Sequence, residues 1–189
     1  MIVDDAVNSG ASTVTYFYCK YQDPGRDNFK SVTRAPLAQF VQQNRNLLPF
    51  LYEECASNGQ VVLESEKQIR DLLKTTCKGV EDGFIIVDGP DECSIPERRK
   101  LLTYLPQLIS EANEDQKNTL RGLFVSRDEG DIRNLLSKAI TRTIEARDNE
   151  IDIQSFAKSQ LSGLIQKFDI TENQSDELIA IITKRAKGE

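Results

Sequence analysis

Histidine is absent from the 189 residues. A zinc site built on imidazole and any histidine-dependent catalytic triad are therefore excluded. Cysteine is sparse: Cys19, Cys55, Cys77 and Cys93 stand far apart, with no Cys-x-x-Cys pair, so a four-thiolate zinc site is not expected either. No apolar run approaches the roughly 20 residues of a membrane span. The opening Met-Ile-Val-Asp-Asp-Ala-Val lacks the basic region and long apolar region of a secretory signal. Without an export signal, the thiols read as reduced, and the expected location is cytoplasmic, away from membranes. Basic residues are not in excess: 24 Lys and Arg face 30 Asp and Glu, and they are dispersed. The net charge of −6 argues against a nucleic-acid partner. Internal repeats and low-complexity segments are missing as well.

What is present is a chain that can build a core, with 39% hydrophobic and 29% charged residues. Its length suits one domain of ordinary size, or one plus a small appendage. The chain is organised around Gly83-Phe84-Ile85-Ile86-Val87-Asp88-Gly89-Pro90-Asp91-Glu92-Cys93. Phe, Ile, Ile and Val favour extended structure, and an unalternated apolar run suits a strand buried on both faces. Gly89-Pro90 stops it, because proline cannot donate to a ladder and glycine turns freely. Asp88, Asp91 and Glu92 thus fall at the strand's carboxyl end, where open α/β sheets place their ligands. A carboxylate there can hold Mg²⁺, and a second can polarise a water. The plain alternative is a polar turn after a core strand.

In chain order, Met1 to Asn8 reads as the tail of a helix, stopped by Ser9-Gly10. Thr13 to Cys19 is β-branched and aromatic, a strand. Asn28 to Gln43 has helical spacing with Pro36 inside, which predicts a kink or two pieces. Leu47 to Ala56 reads as a short helix. Ser65 to Lys78 reads as a helix with a capping box, Ser65 and Gln68. Ser94 and Pro96 open a helix whose buried stripe is Leu101, Leu102, Leu105, Leu108 and Ile109, with a bend expected at Pro106. Glu111 to Asn118 reads as a loop, Leu120 to Ser126 as a buried strand, and Asp131 to Leu136 as a helical turn or two. Ala139 to Ile144 is rich in β-branched residues and reads as a further strand, although Arg142 interrupts its apolar side. Beyond Asn149 the pattern is helical: Ile153 to Phe168, with Phe156, Leu161, Leu164 and Ile165 toward a core, a loop from Thr171 to Ser175, and Asp176 to Lys187. Strands joined by helical crossovers imply an α/β fold with a parallel sheet and helices on both faces. The division expected is residues 1–147 for the α/β domain and 148–189 for a helical segment.

The order of these segments resembles the nucleotide-binding domain of NACHT-type signal-transduction (STAND) NTPases. It is most similar to the nephrocystin 3-like N-terminal domain of fungal NLR-like proteins. Tyr16-Phe17-Tyr18-Cys19-Lys20-Tyr21 is similar to a strand reading aromatic-Phe-Cys and then a charged residue. Phe84 to Cys93 resembles a Walker B segment, and Leu123-Phe124-Val125-Ser126-Arg127 resembles a sensor strand ending in Ser-Arg. Asp152-Ile153 with Phe156 looks like the start of a small helical lid. The resemblance implies a P-loop NTPase-type sheet, with Mg²⁺ and ATP or GTP as ligands. It implies Asp88 as the Mg²⁺ residue, Asp91 or Glu92 as the catalytic residue orienting the attacking water, and Arg127 as the nucleotide-sensing residue. The plain alternatives are a strand end for Asp88, helix caps for Asp91 and Glu92, and a surface pair of Arg127 with Asp128 or Asp131.

The sequence departs from that pattern. No Gly-Lys-Ser/Thr loop occurs, and Gly10-Ala-Ser-Thr precedes a strand and has no Lys. By the resemblance, Met1 to Asn8 corresponds to the far half of the helix after the phosphate loop, so the chain reads as a fragment. The absent first strand would lie between the strands ending at Ser126 and Ile144. Pro90 and Pro36 stand where aliphatic residues are usual. Hydrolysis by this chain alone is therefore not expected. The two functions to separate are a truncated nucleotide-switch module and a non-catalytic interaction protein that associates with itself or with full-length relatives.

Overall fold

A computed structural model describes residues 8, 13–49, 52–53, 63, 65–114, 119–145, 148, 150–168 and 170–186. The chain divides into two compact units, Met1–Lys138 and Ala139–Glu189. The expected helix over Met1 to Asn8 lies outside the described residues apart from helical Asn8, and half of the one expected over Leu47 to Ala56 does so too.

The first unit is an α/β fold on a three-stranded parallel sheet: β1 (Thr13–Tyr18), β2 (Asp82–Asp88) and β3 (Thr119–Val125), in that order. The central run Phe84 to Val87 is therefore the middle strand. In register, Phe17 stands beside Val87 and Val87 beside Phe124. Ile85 and Val87 face α1 (Phe29–Gln43), α2 (Glu66–Lys78) and α3 (Ile95–Ala112), whose side chains Phe29, Phe40, Leu73, Leu101 and Leu105 form one core with them. Ile86, on the opposite face, is 3% exposed. A strand buried on both faces gains nothing from polar alternation, which is why the run is continuous.

Two of these helices start where a side chain satisfies a free amide. The Asn28 side chain accepts from Ser31 N–H (3.1 Å) at α1, and Ser65 Oγ accepts from Gln68 N–H (3.4 Å) at α2. Neither proline divides its helix. α1 runs unbroken through Pro36 and α3 through Pro106. Pro36 is buried, so packing offsets the missing backbone bond.

The outer rim of β1 is covered by side chains. Gln43 accepts from Val14 N–H (3.1 Å) and donates to Val14 O (2.8 Å). Gln39 does the same for Tyr16, at 2.8 Å each way. Two amides one helical turn apart thus stand in for a neighbouring strand. On β3, Thr119 N–H donates to Glu81 O and Val125 O accepts from Gly89 N–H, so odd-numbered residues point to β2 and even-numbered ones outward. Asn113 pairs both ways with Leu120, at 2.9 Å each. The outward groups of Gly122 and Phe124 meet no strand among the described residues.

The fourth strand expected over Ala139 to Ile144 does not form. Ile140 is 95% exposed, and the segment pairs with no strand among the described residues. β-branched composition favours extension, but a strand needs a neighbour, and none engages it. α4 (Gly130–Leu135) precedes it.

The second unit is a pair of helices, α5 (Glu150–Phe168) and α6 (Glu172–Ala186), meeting through Ala157, Leu161 and Ile179. Phe156 is 67% exposed, not toward the core as its spacing suggested, and the side chains of Leu164 and Ile165 lie outside the described residues. α6 begins four residues before the expected start, because Thr171 and Gln174 form a reciprocal cap: Thr171 N–H donates to Gln174 Oε1 (3.0 Å) and Gln174 N–H to Thr171 Oγ1 (3.4 Å). Among the described residues no helix is long and apolar enough to cross a membrane.

Candidate functional site

β2 ends in Asp88, and the chain turns at once. Gly89 takes φ +73°, a left-handed conformation that glycine adopts without steric penalty. Its N–H still donates to Val125 O (2.8 Å), so the turn stays attached to β3. Pro90–Glu92 then forms a single 3₁₀ turn that Cys93 closes through Pro90 O. Pro90 fits here because it opens the turn, where no amide donor is needed. The geometry places Asp91 and Glu92 in their own turn, not on the amino end of α3, whose first turn carries Glu97.

The three expected carboxylates share one corner but are used differently. The Asp91 side chain is 6% exposed; its Oδ1 accepts from Arg127 N–H (3.3 Å), and its Oδ2 lies 3.6 Å from Arg127 Nε. Glu92 bridges two loops: Oε1 accepts from Arg127 Nη2 (3.0 Å) and Oε2 from Tyr21 N–H (3.2 Å). Arg127, 79% exposed, therefore pairs with Asp91 and Glu92. Of the surface partners considered for it, Asp128 pairs with Arg133 and Asp131 with Arg98. Asp88 is half-buried and has no side-chain partner among the described residues. With Tyr18, Cys19, Lys20, Gly89 and Glu92 it lines a cavity of about 340 Å³.

The matched sequence ends on that same arginine. Residues 1–127 match the family profile described as nephrocystin 3, N-terminal. The chain belongs to the nephrocystin 3 N-terminal family. No curated protein and no solved structure matches it. The family match covers the whole sheet and every candidate residue, while α4 to α6 lie beyond it.

Within this nephrocystin 3-type domain, one further residue holds the corner together. Arg98, in the first turn of α3, has a side chain only 8% exposed. Its Nε and Nη2 donate to Asp131 Oδ2 and Oδ1, both at 2.8 Å, a bidentate pair. Its Nη1 reaches Asp91 O at 3.5 Å, and Glu129 lies 3.8 Å away. Arg98 thus ties the turn after β2 to the loop after β3, the two segments that carry the carboxylates and Arg127. The sequence reading missed it. The available signal was a charge three and four residues before Leu101 and Leu102, on the buried stripe of α3. A second arrangement links the amino end of α1 to the same helix: Glu97 accepts from Phe29 N–H (2.8 Å) and pairs with Lys100 (2.9 Å). Burial works to raise the Glu97 pKa, but these two hydrogen bonds outweigh it and hold the carboxyl below its ordinary range.

No group of three or more metal-ligating side chains converges among the described residues. Asp88 alone faces the cavity unpaired, while Asp91 and Glu92 are engaged by Arg127. Such a corner suits an ion held by one carboxylate together with waters and substrate phosphates, not a resident ion held by protein alone.

Proposed function

We propose that this chain is a nucleotide-switch module of the NACHT (STAND) class, from a protein organised like the fungal NLR-like receptors. In this reading β2 and its turn are the Walker B segment and β3 is the sensor strand. Asp88 holds Mg²⁺ through water; bound there with ATP or GTP, the ion would neutralise charge on the phosphate oxygens. Asp91 or Glu92 orients the attacking water. Arg127 senses the terminal phosphate, and drawing it to that phosphate frees both carboxylates.

The observation that supports this reading is the joining of Arg127 to Asp91 and Glu92 across the tips of two adjacent parallel strands. Hydrolysis by this chain alone is not expected. Phosphoryl transfer depends on positioning, and no Gly-Lys-Ser/Thr segment is present to cradle phosphates. Titration with Mg²⁺ and millimolar ATP tests this. No rise in thermal stability is expected, whereas ligand at a hundredfold excess over Kd would add about 2.7 kcal/mol. A clear rise that disappears in Asp88→Asn and Arg127→Ala would make this chain a nucleotide binder in its own right. An in-frame Gly-Lys-Ser/Thr segment in the coding DNA upstream would supply the other half of the pocket.

The outer rim of β3 favours a second reading, a non-catalytic protein that associates with itself or with full-length relatives. Gly122 and Phe124 present backbone donors and acceptors outward, and such an edge accepts a strand from another chain.

A further inference from the structure

The bare rim of β3 is short and has a defined pattern. Gly122 and Phe124 each present an N–H and a C=O outward, and no described residue engages these groups. The rim is bounded at both ends. Toward its amino end, Asn113 occupies both outward groups of Leu120, at 2.9 Å each. Toward its carboxyl end, the chain leaves the sheet after Val125, and Arg127 N–H donates to Asp91 Oδ1 (3.3 Å). Between the two outward residues, Leu123 stands beside Ile86 on the sheet face away from the core helices, with its side chain 37% exposed. On that same face, Arg121 is bonded to Asp82 (2.9 Å), and Val125 stands beside Asp88.

We propose that this rim pairs with the same rim of a second copy of the chain, the two β3 strands running antiparallel about a two-fold axis at Leu123. The proposal rests on the association reading above and is independent of the nucleotide reading. In this register Gly122 faces the partner's Phe124, and Phe124 faces the partner's Gly122. Residues that face each other so in an antiparallel pair exchange both bonds. Every free donor of one copy thus meets a free acceptor of the other. Other registers leave groups unmatched. With Gly122 opposite the partner's Gly122, Phe124 meets the partner's Leu120, which Asn113 already occupies. With Phe124 opposite the partner's Phe124, Gly122 meets the partner's Ser126, beyond the end of the strand. The slanted bonds of a parallel pair would strand one group of each copy. The side chains agree with the backbone. Leu123 meets the partner's Leu123 in a non-hydrogen-bonded pair, where Cα atoms approach to about 4.5 Å and exposed apolar surface is covered. Arg121 faces the partner's Val125, beside which Asp88 supplies the opposite charge. The two Arg121 residues are kept about 14 Å apart along the strands, so like charges do not meet.

The test uses the full chain. On going from dilute to concentrated protein, amide hydrogen exchange at Gly122 and Phe124 should slow at least tenfold, while Val14 and Tyr16 on the covered β1 rim stay unchanged. Leu123→Cys, oxidised with diamide, should give a covalent dimer whose peptide map joins position 123 of both chains, because a Cα separation of about 4.5 Å suits a disulfide. Arg121→Cys and Val125→Cys should each link to themselves at least tenfold less, yet link to one another when the two proteins are mixed. Tyr16→Cys, at a side chain 41% exposed and so as accessible as Leu123, should form no such dimer. A monomer at every concentration, with exchange at Gly122 and Phe124 unchanged, overturns the proposal together with the association reading. A dimer in which position 123 does not link, or in which Arg121→Cys links readily to itself, overturns this pairing and leaves the association reading standing.

Discussion

The residue with the largest structural consequence at the site is Arg98. Its guanidinium is buried and bidentate on Asp131, and removing one member of a buried pair strands the other. Arg98→Met is expected to destabilise the first unit by about 3 kcal/mol, read from urea unfolding. A loss under about 1 kcal/mol would show that Asp131 finds water instead. Glu97 gives the pH dependence. Its folded pKa is depressed, so its contribution is complete above the ordinary glutamate value of about 4.3 and is lost as pH falls through the folded value. Thermal melts from pH 7 down to pH 3 should show this loss beginning below pH 5. Glu97→Gln should flatten that limb and cost about 1 kcal/mol at neutral pH, the scale of a helix cap. An unchanged limb would assign the acid sensitivity to other carboxylates. The sequence offered Asp88, Asp91, Glu92 and Arg127 as candidates because acids and an arginine at strand ends stand out. It hid Arg98, because a charge on an apolar stripe looks like an interruption until its partner, 33 positions away, is placed beside it.

At the scale of elements, a good deal was legible. The strand at 82–88 declared itself by continuous apolar residues, and α2 by its Ser65 cap. Local propensity is only part of the account. The kink or division expected at Pro36 and the bend expected at Pro106 weighed local propensity; both helices run unbroken, and at Pro36 burial in the core offsets the lost bond. The expected strand at 139–144 also weighed local propensity, and no neighbour supported it. The late start assigned to α6 is different, since Thr171-Glu-Asn-Gln174 is a recognisable cap that was passed over. The glutamine cover of β1 was invisible in sequence, because Gln39 and Gln43 look like ordinary solvent-facing positions. Gln39→Ala with Gln43→Ala should speed hydrogen exchange at the Val14 and Tyr16 amides at least tenfold and leave Thr15, which points to β2, slow. Equal exchange before and after substitution would mean that solvent already competes at that rim.

For the molecule as a whole, the two units differ in how much they bury. The first encloses the sheet and three helices around one core, while the second joins α5 and α6 through Ala157, Leu161 and Ile179. Hydrophobic spacing identified both helices of the second unit, but spacing alone cannot say which apolar positions find a partner, and Phe156 and Ile182 remain substantially exposed. If the open rim of β3 mediates self-association, light scattering should show a concentration-dependent oligomer. Leu123→Lys, at a side chain already 37% exposed, should weaken it at least tenfold by placing a charge on that strand. A monomer at every concentration tested would remove the association reading.

The glutamine cover of β1 also limits how far such contact can spread. A sheet with two bare rims can add copies indefinitely and run into a fibre. Among the described residues, Gln39 and Gln43 stopper the β1 side at Val14 and Tyr16. If molecules do join through β3, growth through strand pairing is therefore expected to stop at a pair.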